Sequence, residues 1–247
     1  MIIDTFDNKS KAIISPAIKD KRVKCDVCLV TFSHIIVEHI LQTHKCKKVG
    51  ECVSVCGNIP FYTFKYKNKQ IGFYKTSVGA PASVGIMEDM NASIDADKFI
   101  VFGSAGVLDN TKCSGKVIVP TFAYRDEGTS YHYAKAKDFI KINNSNTVAE
   151  VLKENNIPYV KGKVWTTDAF YRETVNNFNK RREAGCIAVD MECSALQALC
   201  DFRGKSLYYM LFGGDELDAP VWDGKKLDHA NHNLINLEIA LFLATKI

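Results

Sequence analysis

The sequence predicts an α/β fold in which a central mixed β-sheet is flanked by helices. Short apolar runs typical of buried strands alternate with segments whose apolar residues recur at helical spacing. One predicted β-hairpin interrupts this alternation, with strands at 61–66 and 71–74 joined by a turn at 67–69. Because the chain contains no linker, internal repeat or low-complexity tract, we expect residues 1–247 to form a single domain that begins with a polar lead-in, 1–24.

Each predicted element follows from a local pattern. The predicted strands are apolar runs bounded by turn residues, at 25–31, 98–103, 117–120, 160–166, 186–190 and 206–212. The predicted helices carry apolar residues three and four positions apart, at 33–41, 81–94, 147–155, 191–200 and 231–247. Ser33 is a suitable N-cap for the first helix, and Pro81 suits the first turn of the second. The charged run 180–183 is typical of the solvated face of a helix.

Composition narrows the class of protein. With 47% hydrophobic and 24% charged residues, the chain is typical of globular proteins. The net charge of +4 is small and its lysines and arginines are scattered, which does not indicate a nucleic-acid-binding protein. An odd number of cysteines, nine, many in apolar surroundings, indicates a reducing cytoplasm rather than a disulfide framework. The start of the chain is acidic, unlike a secretory leader, and no apolar run is long enough to span a membrane. We expect a cytoplasmic protein without a metal site.

Four short motifs place chemically useful residues after predicted strands. They are Gly103-Ser104, Phe170-Tyr171, Met191-Glu192 and Gly214-Asp215. Ligands of open α/β sheets bind at the carboxyl ends of the strands, so we expect these motifs to converge on one edge. Two carboxylates, an aromatic ring and a turn of small residues form a constellation suited to the cleavage of a glycosidic bond.

Two of these motifs have an alternative interpretation. Glu192 would stabilise the helix that follows it if it caps the helix N-terminus. It would instead bind a sugar hydroxyl if it serves a ligand, because a carboxylate at the end of a buried strand requires a partner. In the same way, Gly103 and Ser104 fit either a plain tight turn or a ligand-binding turn.

Taken together, the motifs resemble those of the nucleoside phosphorylase and nucleosidase superfamily, which includes purine nucleoside phosphorylases, uridine phosphorylases and methylthioadenosine nucleosidases. The resemblance covers roughly residues 26–245, and its motifs follow the family's order at 77–79, 103–106, 125–130, 167–171, 189–192 and 214–215. It implies a three-layer phosphorylase/hydrolase-like domain, a homo-oligomer whose sites often include residues of a neighbouring subunit, and no cofactor beyond phosphate as co-substrate.

The resemblance also implies roles for individual residues. Glu192 would bind the ribose hydroxyls and favour the positive charge that develops at the anomeric carbon. Asp215 would be the general acid that protonates a purine nitrogen as the base leaves. Met191 would pack beneath the sugar, Phe170 would stack on the base, and Ser104 would bind phosphate or position the nucleophile. The other substrate-binding residues that it implies or suggests are His34, Val78, Gly79, Gly103, Arg125 and Arg172.

The reaction implied is phosphorolysis of a purine nucleoside to free base and ribose 1-phosphate, by a pentosyltransferase of nucleoside salvage. Two arginines usual in family phosphorylases are absent here, from the first strand–helix turn at 31–35 and from 100–102. His34, Lys75, Arg125 or a neighbouring subunit would then supply the positive charge for phosphate. Three alternatives stay open: a nucleosidase that uses water with His34 as base, a uridine phosphorylase, and a nucleoside-binding protein without turnover.

Overall fold

The computed structural model describes residues 1–16, 21–222, 224 and 226–247. The β-strands are β1 (Val23–Lys24), β2 (Val27–Thr31), β3 (Lys47–Cys52), β4 (Ile59–Tyr66), β5 (Lys69–Lys75), β6 (Ile94–Asp95), β7 (Lys98–Val107), β8 (Val117–Asp126), β9 (Phe139–Lys141), β10 (Tyr159–Thr167), β11 (Cys186–Asp190) and β12 (Ser206–Glu216). The α-helices are α1 (His34–Thr43), α2 (Ala80–Met90), α3 (Asn110–Cys113), α4 (Ser130–Tyr133), α5 (Ser145–Glu154), α6 (Val175–Glu183), α7 (Cys193–Arg203), α8 (Lys226–His232) and α9 (Leu234–Ala244). Short 3-10 helices lie at Ile2–Asp4 and Phe170–Arg172.

One mixed sheet organises the molecule. Its strand order is β11-β10-β8-β12-β7-β2-β5-β4-β3, with β9 paired to β8. The end of β7 also pairs with β11, in the antiparallel sense, so that β7, β12, β8, β10 and β11 close into a ring. The predicted α/β fold with a central mixed sheet is therefore confirmed, and the ring is a feature that local patterns did not predict.

Helices cover both faces of the sheet. One apolar core packs α2 and α7 against the sheet through residues such as Met87 and Leu196, and it includes Val101 of β7. The other core packs α1, α5 and α9, and it includes Ile100 and Phe102 of the same strand. The alternation along β7 is the period of two expected for a strand buried on both faces. The predicted three layers follow from this arrangement.

The predicted turn at 103–106 is wrong, because β7 continues through it to Val107. The glycines here serve close packing rather than chain reversal. A Cβ atom on Gly103 would lie 2.7 Å from the Phe32 ring, and one on Gly106 would lie 2.9 Å from Val189 Cγ1. Only glycine leaves room for these neighbours within the strand.

Other boundaries differ from the predictions in smaller ways. The hairpin β4–β5 is confirmed, but its loop contains only Lys67 and Asn68, with Lys67 at a positive φ of 50°. The strand predicted at 117–120 is longer than expected, because β8 continues through Asp126. The predicted closing helix is two helices, because Asn233 caps α9 by accepting a hydrogen bond from the Ile235 backbone. Seven of the eleven residues of α9 are buried, and two of the exposed ones, Leu234 and Ile235, are apolar, so the helix lacks the polar face of an amphipathic helix.

Candidate active site

Two acid-bearing strands meet on either side of Gly106. This residue pairs with Asp215 of β12 on one side and with Val189 of β11 on the other. A Cβ atom at position 106 would lie 3.3 Å from Asp215 Oδ1, so glycine allows the three strands to approach. The end of β11, which leads into Glu192, and the end of β12, which carries Asp215, therefore lie on either side of Gly106.

Glu192 is buried at the junction between β11 and α7, with 5% of its surface exposed. Its Oε1 accepts a hydrogen bond from the backbone N–H of Gly79, which lies just before α2 at a positive φ of 100°. The N-terminus of α7 is capped by a different acid, since Asp190 Oδ2 accepts the Cys193 N–H at 2.8 Å. Glu192 itself occupies the N-cap position of α7, but its side chain makes no capping hydrogen bond.

The surroundings of Asp190 and Glu192 oppose the ionisation of both carboxyl groups. Burial, with the nearby charge of Asp190 added, raises the pKa of Glu192 to about 8. Burial also raises the pKa of Asp190, to about 6, although Thr166 and Tyr209 donate hydrogen bonds to it. The pair therefore retains a proton near neutral pH while the site is empty. A ligand that donates hydroxyl groups to Glu192 would favour its ionised form.

Asp215 lies in a more open setting at the end of β12. Its Oδ2 accepts a hydrogen bond from Trp222 Nε1 at 2.7 Å, and Trp222 itself is 62% exposed. A second carboxyl group is near, because burial together with the charge of Asp215 raises the pKa of Glu173 to about 7. The Asp215 side of the site thus combines two carboxyl groups with an exposed indole ring.

Exposed aromatic rings lie on the segment that follows β10. Phe170 and Tyr171 are both exposed, their ring centroids are 4.1 Å apart, and Arg172 ends the same 3-10 turn. Glu173 follows immediately, which links this turn to the neighbourhood of Asp215. Large exposed aromatic groups beside carboxylates are suited to binding a planar heterocycle.

Helix α8 contacts the residues that were predicted to bind phosphate. The backbone N–H of Ser104 donates to Asn231 Oδ1 at 3.4 Å. Ser33 Oγ hydrogen-bonds His232 Nδ1 at 2.7 Å, and the His232 ring packs edge-on against that of His34, with centroids 5.1 Å apart. Sequence reasoning missed Asn231 and His232. Their only signal was a cluster of polar and imidazole side chains in a segment interpreted as a closing helix.

Arg125 is committed to its own loop. It is 4% exposed, its Nε donates to Ser130 Oγ at 2.7 Å, and its terminal nitrogens donate to backbone oxygens of Ala134 and Lys135. The Tyr131 ring also stacks on the guanidinium at 4.1 Å. Because this arrangement holds the loop together and buries the charge, we leave Arg125 out of the proposed ligand set.

The remaining predicted residues are described by their exposure and their position in the chain. Met191 is half-buried beside Glu192, and Val78 is exposed beside Gly79. Lys75 is exposed and lines, with His34 and Ser77, an open cavity of about 1630 Å³. Among the described residues, no cluster of histidine, cysteine and acidic side chains is suited to hold a metal ion, and no helix is long and apolar enough to cross a membrane.

Comparisons with known proteins identify the family of the chain. The sequence profile of the Phosphorylase superfamily matches residues 26–238. Purine nucleoside phosphorylase DeoD-type 1 of Shewanella oneidensis is 30% identical over 154 residues, which are 61% of this chain and 65% of that protein. Purine nucleoside phosphorylase DeoD-type of Bacillus velezensis is 27% identical over 196 residues, 76% of this chain and 83% of that protein.

The fold has a counterpart among solved structures. The crystal structure of purine nucleoside phosphorylase from Toxoplasma gondii in complex with immucillin-H superposes with a TM-score of 0.73. It is 18% identical in sequence, and the match covers 97% of this chain and 100% of that chain. This likeness confirms the mixed α/β fold, and with the profile match it leads to one conclusion. The chain belongs to the Phosphorylase superfamily.

Proposed function

We propose that this protein cleaves the N-glycosidic bond of a purine nucleoside and transfers the pentosyl group to phosphate. The observation that carries the proposal is the pairing of Gly106 both with β11, which leads into Glu192, and with β12, which carries Asp215. Membership of the Phosphorylase superfamily and the relation to purine nucleoside phosphorylases support the same reaction class.

Glu192 binds the sugar in this proposal. Ribose hydroxyls donate hydrogen bonds to its carboxylate, whose negative charge then favours the oxocarbenium-like centre formed as the bond to the base lengthens. Gly79 N–H holds the other side of the carboxyl group and fixes its orientation. Half-buried Met191, the neighbouring residue, packs against the sugar.

Asp215 serves the leaving base. It transfers a proton to a purine ring nitrogen, so that the base departs as a neutral molecule. Glu173 lies near enough for its pKa to respond to the charge of Asp215, and it is a reservoir for that proton. The exposed rings of Phe170 and Tyr171 supply the surface on which the base stacks.

The acceptor of the pentosyl group, phosphate or water, is the part of the reaction that the fewest contacts define. Phosphate would bind between Ser104 and the N-terminus of α1, where helix N–H groups attract anions and His34 and His232 are near. One observation favours water instead, which would make the protein a nucleosidase: the Ser104 N–H already donates to Asn231. Hydrolysis is therefore the second candidate.

The test is release of free base from inosine, adenosine, guanosine, uridine and methylthioadenosine, each with and without phosphate. We expect purine release that requires phosphate and yields ribose 1-phosphate. Release that ignores phosphate would replace phosphorolysis by hydrolysis, and release from uridine alone would contradict the purine preference. Binding without release would identify a nucleoside-binding protein. Gel filtration of the same preparation tests the homo-oligomer that we also propose.

A further inference from the structure

Trp222 makes an unusual contact for an exposed aromatic residue. Its indole N–H donates to Asp215 Oδ2 at 2.7 Å while 62% of its surface is exposed. Its ring lies across the backbone of Gly224, where a Cβ atom would come within 2.8 Å of Trp222 Cη2. Val221, beside it, is also exposed. Solvent thus surrounds most of the indole, and its N–H is nonetheless directed at the candidate acid.

The two oxygens of Asp215 have different surroundings. Oδ1 faces Gly106, at the point where β7, β11 and β12 meet. Oδ2 faces outward to the indole. A base that enters from the exposed side therefore meets the oxygen that Trp222 already occupies. An indole N–H can only donate a hydrogen bond, so Oδ2 acts as an acceptor in this contact and cannot pass a proton outward from the same position.

We propose that Trp222 gates the acid: its N–H holds Asp215 Oδ2 while the site is empty, and a purine ring nitrogen must replace this contact. The inference rests on the proposed role of Asp215 and adds a specificity-determining residue to it. A heterocycle without a nitrogen that can share a proton with Oδ2 leaves the indole in place. Trp222 therefore opposes the binding of such heterocycles.

The variant Trp222→Phe keeps a ring and removes the N–H. Because binding no longer has to break an indole–carboxylate hydrogen bond, we expect the KM for inosine and the Kd for hypoxanthine to fall about three- to tenfold. The kcat should change by less than about twofold, since the reacting groups are retained. The ratio of the Kd values for 7-deazahypoxanthine, which lacks the ring nitrogen N7, and hypoxanthine should decrease, because the indole no longer opposes the analogue.

Trp165→Phe is the matched control. Trp165 also donates its indole N–H to a carboxylate, Asp126 Oδ2 at 2.9 Å, but it is buried in β10. We expect this variant to lower the melting temperature and to leave the KM and the Kd unchanged. The comparison separates the loss of an indole–carboxylate bond in general from the loss of the bond to Asp215.

Tryptophan fluorescence provides a readout that does not depend on turnover. Titration of the wild type with hypoxanthine should change the emission of Trp222, and the Trp222→Phe variant should show no such change. An unchanged or raised Kd in Trp222→Phe, or wild-type emission that is constant at saturating base, would overturn the gate. A lowered kcat at constant KM would also overturn it, because Trp222 would then position Asp215 during the reaction. If the wild type binds hypoxanthine with the expected fluorescence change but cleaves no nucleoside, the proposed function fails and the gate stands.

Discussion

The two ends of the candidate site are built in different ways. The buried end, formed by Gly79, Asp190 and Glu192, receives its hydrogen bonds from backbone groups and from side chains of core strands. The exposed end, formed by Asp215 and Trp222, is held in the described part of the chain by one side-chain hydrogen bond. The core holds Glu192 in a fixed position before a ligand binds, but the same burial opposes the ionisation of its carboxyl group. Asp215 stays accessible, and its orientation depends on a hydrogen bond from the Trp222 ring that a ligand can displace.

The largest expected effect comes from removing the charge at the buried end. Glu192→Gln keeps the size of the side chain but loses the negative charge that favours the oxocarbenium-like centre. We expect kcat/KM for inosine to fall about 1000-fold, on the scale of a lost electrostatic contact in a transition state. Steady-state kinetics measure the loss. Activity within about tenfold of the wild type would show that Glu192 does not act on the sugar.

At the exposed end, Asp215→Asn removes the proton donor and keeps the shape. We expect turnover of purine nucleosides to fall at least about 100-fold, the usual scale for a general acid, while nucleoside binding is largely retained. Calorimetric binding and single-turnover cleavage, measured on one preparation, separate the two quantities. Undiminished turnover would remove Asp215 from the mechanism.

The meeting point of the two ends can be disturbed directly. In Gly106→Ala, the new methyl group would lie 2.6 Å from Leu217 Cδ1 and 2.9 Å from Val189 Cγ1, so the strands must separate. We expect the free energy of unfolding to fall by about 2 kcal/mol, with a loss of activity. Gly85→Ala in α2 is the control, because a Cβ atom there meets nothing within 4 Å and alanine favours the helix. Equal stability of the two variants in urea denaturation would refute the account of Gly106.

A smaller effect is expected from the buried end, where the ionisation of Glu192 makes the stability of the folded chain depend on pH. The pKa of Glu192 is about 8 in the folded chain, above its ordinary value of 4.5, so its neutral form is the one compatible with burial. The stability associated with that form is complete below about pH 4.5 and is lost as pH rises through about 8. We expect this loss to reach at least about 1 kcal/mol in the wild type.

Glu192→Gln should remove that contribution to the pH dependence, because the amide does not ionise. Urea denaturation between pH 5 and pH 9 measures both proteins. Parallel profiles would mean that the surroundings of Glu192 do not oppose its charge. The expected combination is a variant that is more stable than the wild type at pH 9 and nearly inactive, as is common where a site is strained for function.

The sequence predicted the fold because buried strands and helices follow from local patterns, whereas the convergence of Glu192 and Asp215 stays a prediction. Buried strands can be recognised as apolar runs, and acidic residues that follow such strands are expected at one edge of the sheet. The continuation of β7 past Gly103 was not predictable, because its pairing with β11 joins segments about eighty residues apart. A glycine that admits a neighbouring side chain has the same local appearance as a glycine in a turn.

Side-chain partners outside the recognised motifs were the other omission. Trp222 precedes the predicted closing helix and His232 lies within it, and neither belongs to a motif from which a contact could be predicted. Arg125 lies in a motif of the family, but its contacts with Ser130 and nearby carbonyl groups are decided by the shape of its own loop. Motifs identify residues, and only the packed chain determines which groups their side chains reach.

The most direct test of the account is the proton released when a nucleoside binds. Calorimetry of inosine binding at pH 7 in two buffers of different ionisation enthalpy measures this number in the absence of phosphate. Because ribose hydroxyls that donate to Glu192 favour its carboxylate form, we predict net proton release by the wild type that disappears in Glu192→Gln. Equal proton release by both proteins would contradict the claim that the buried carboxyl group binds the sugar.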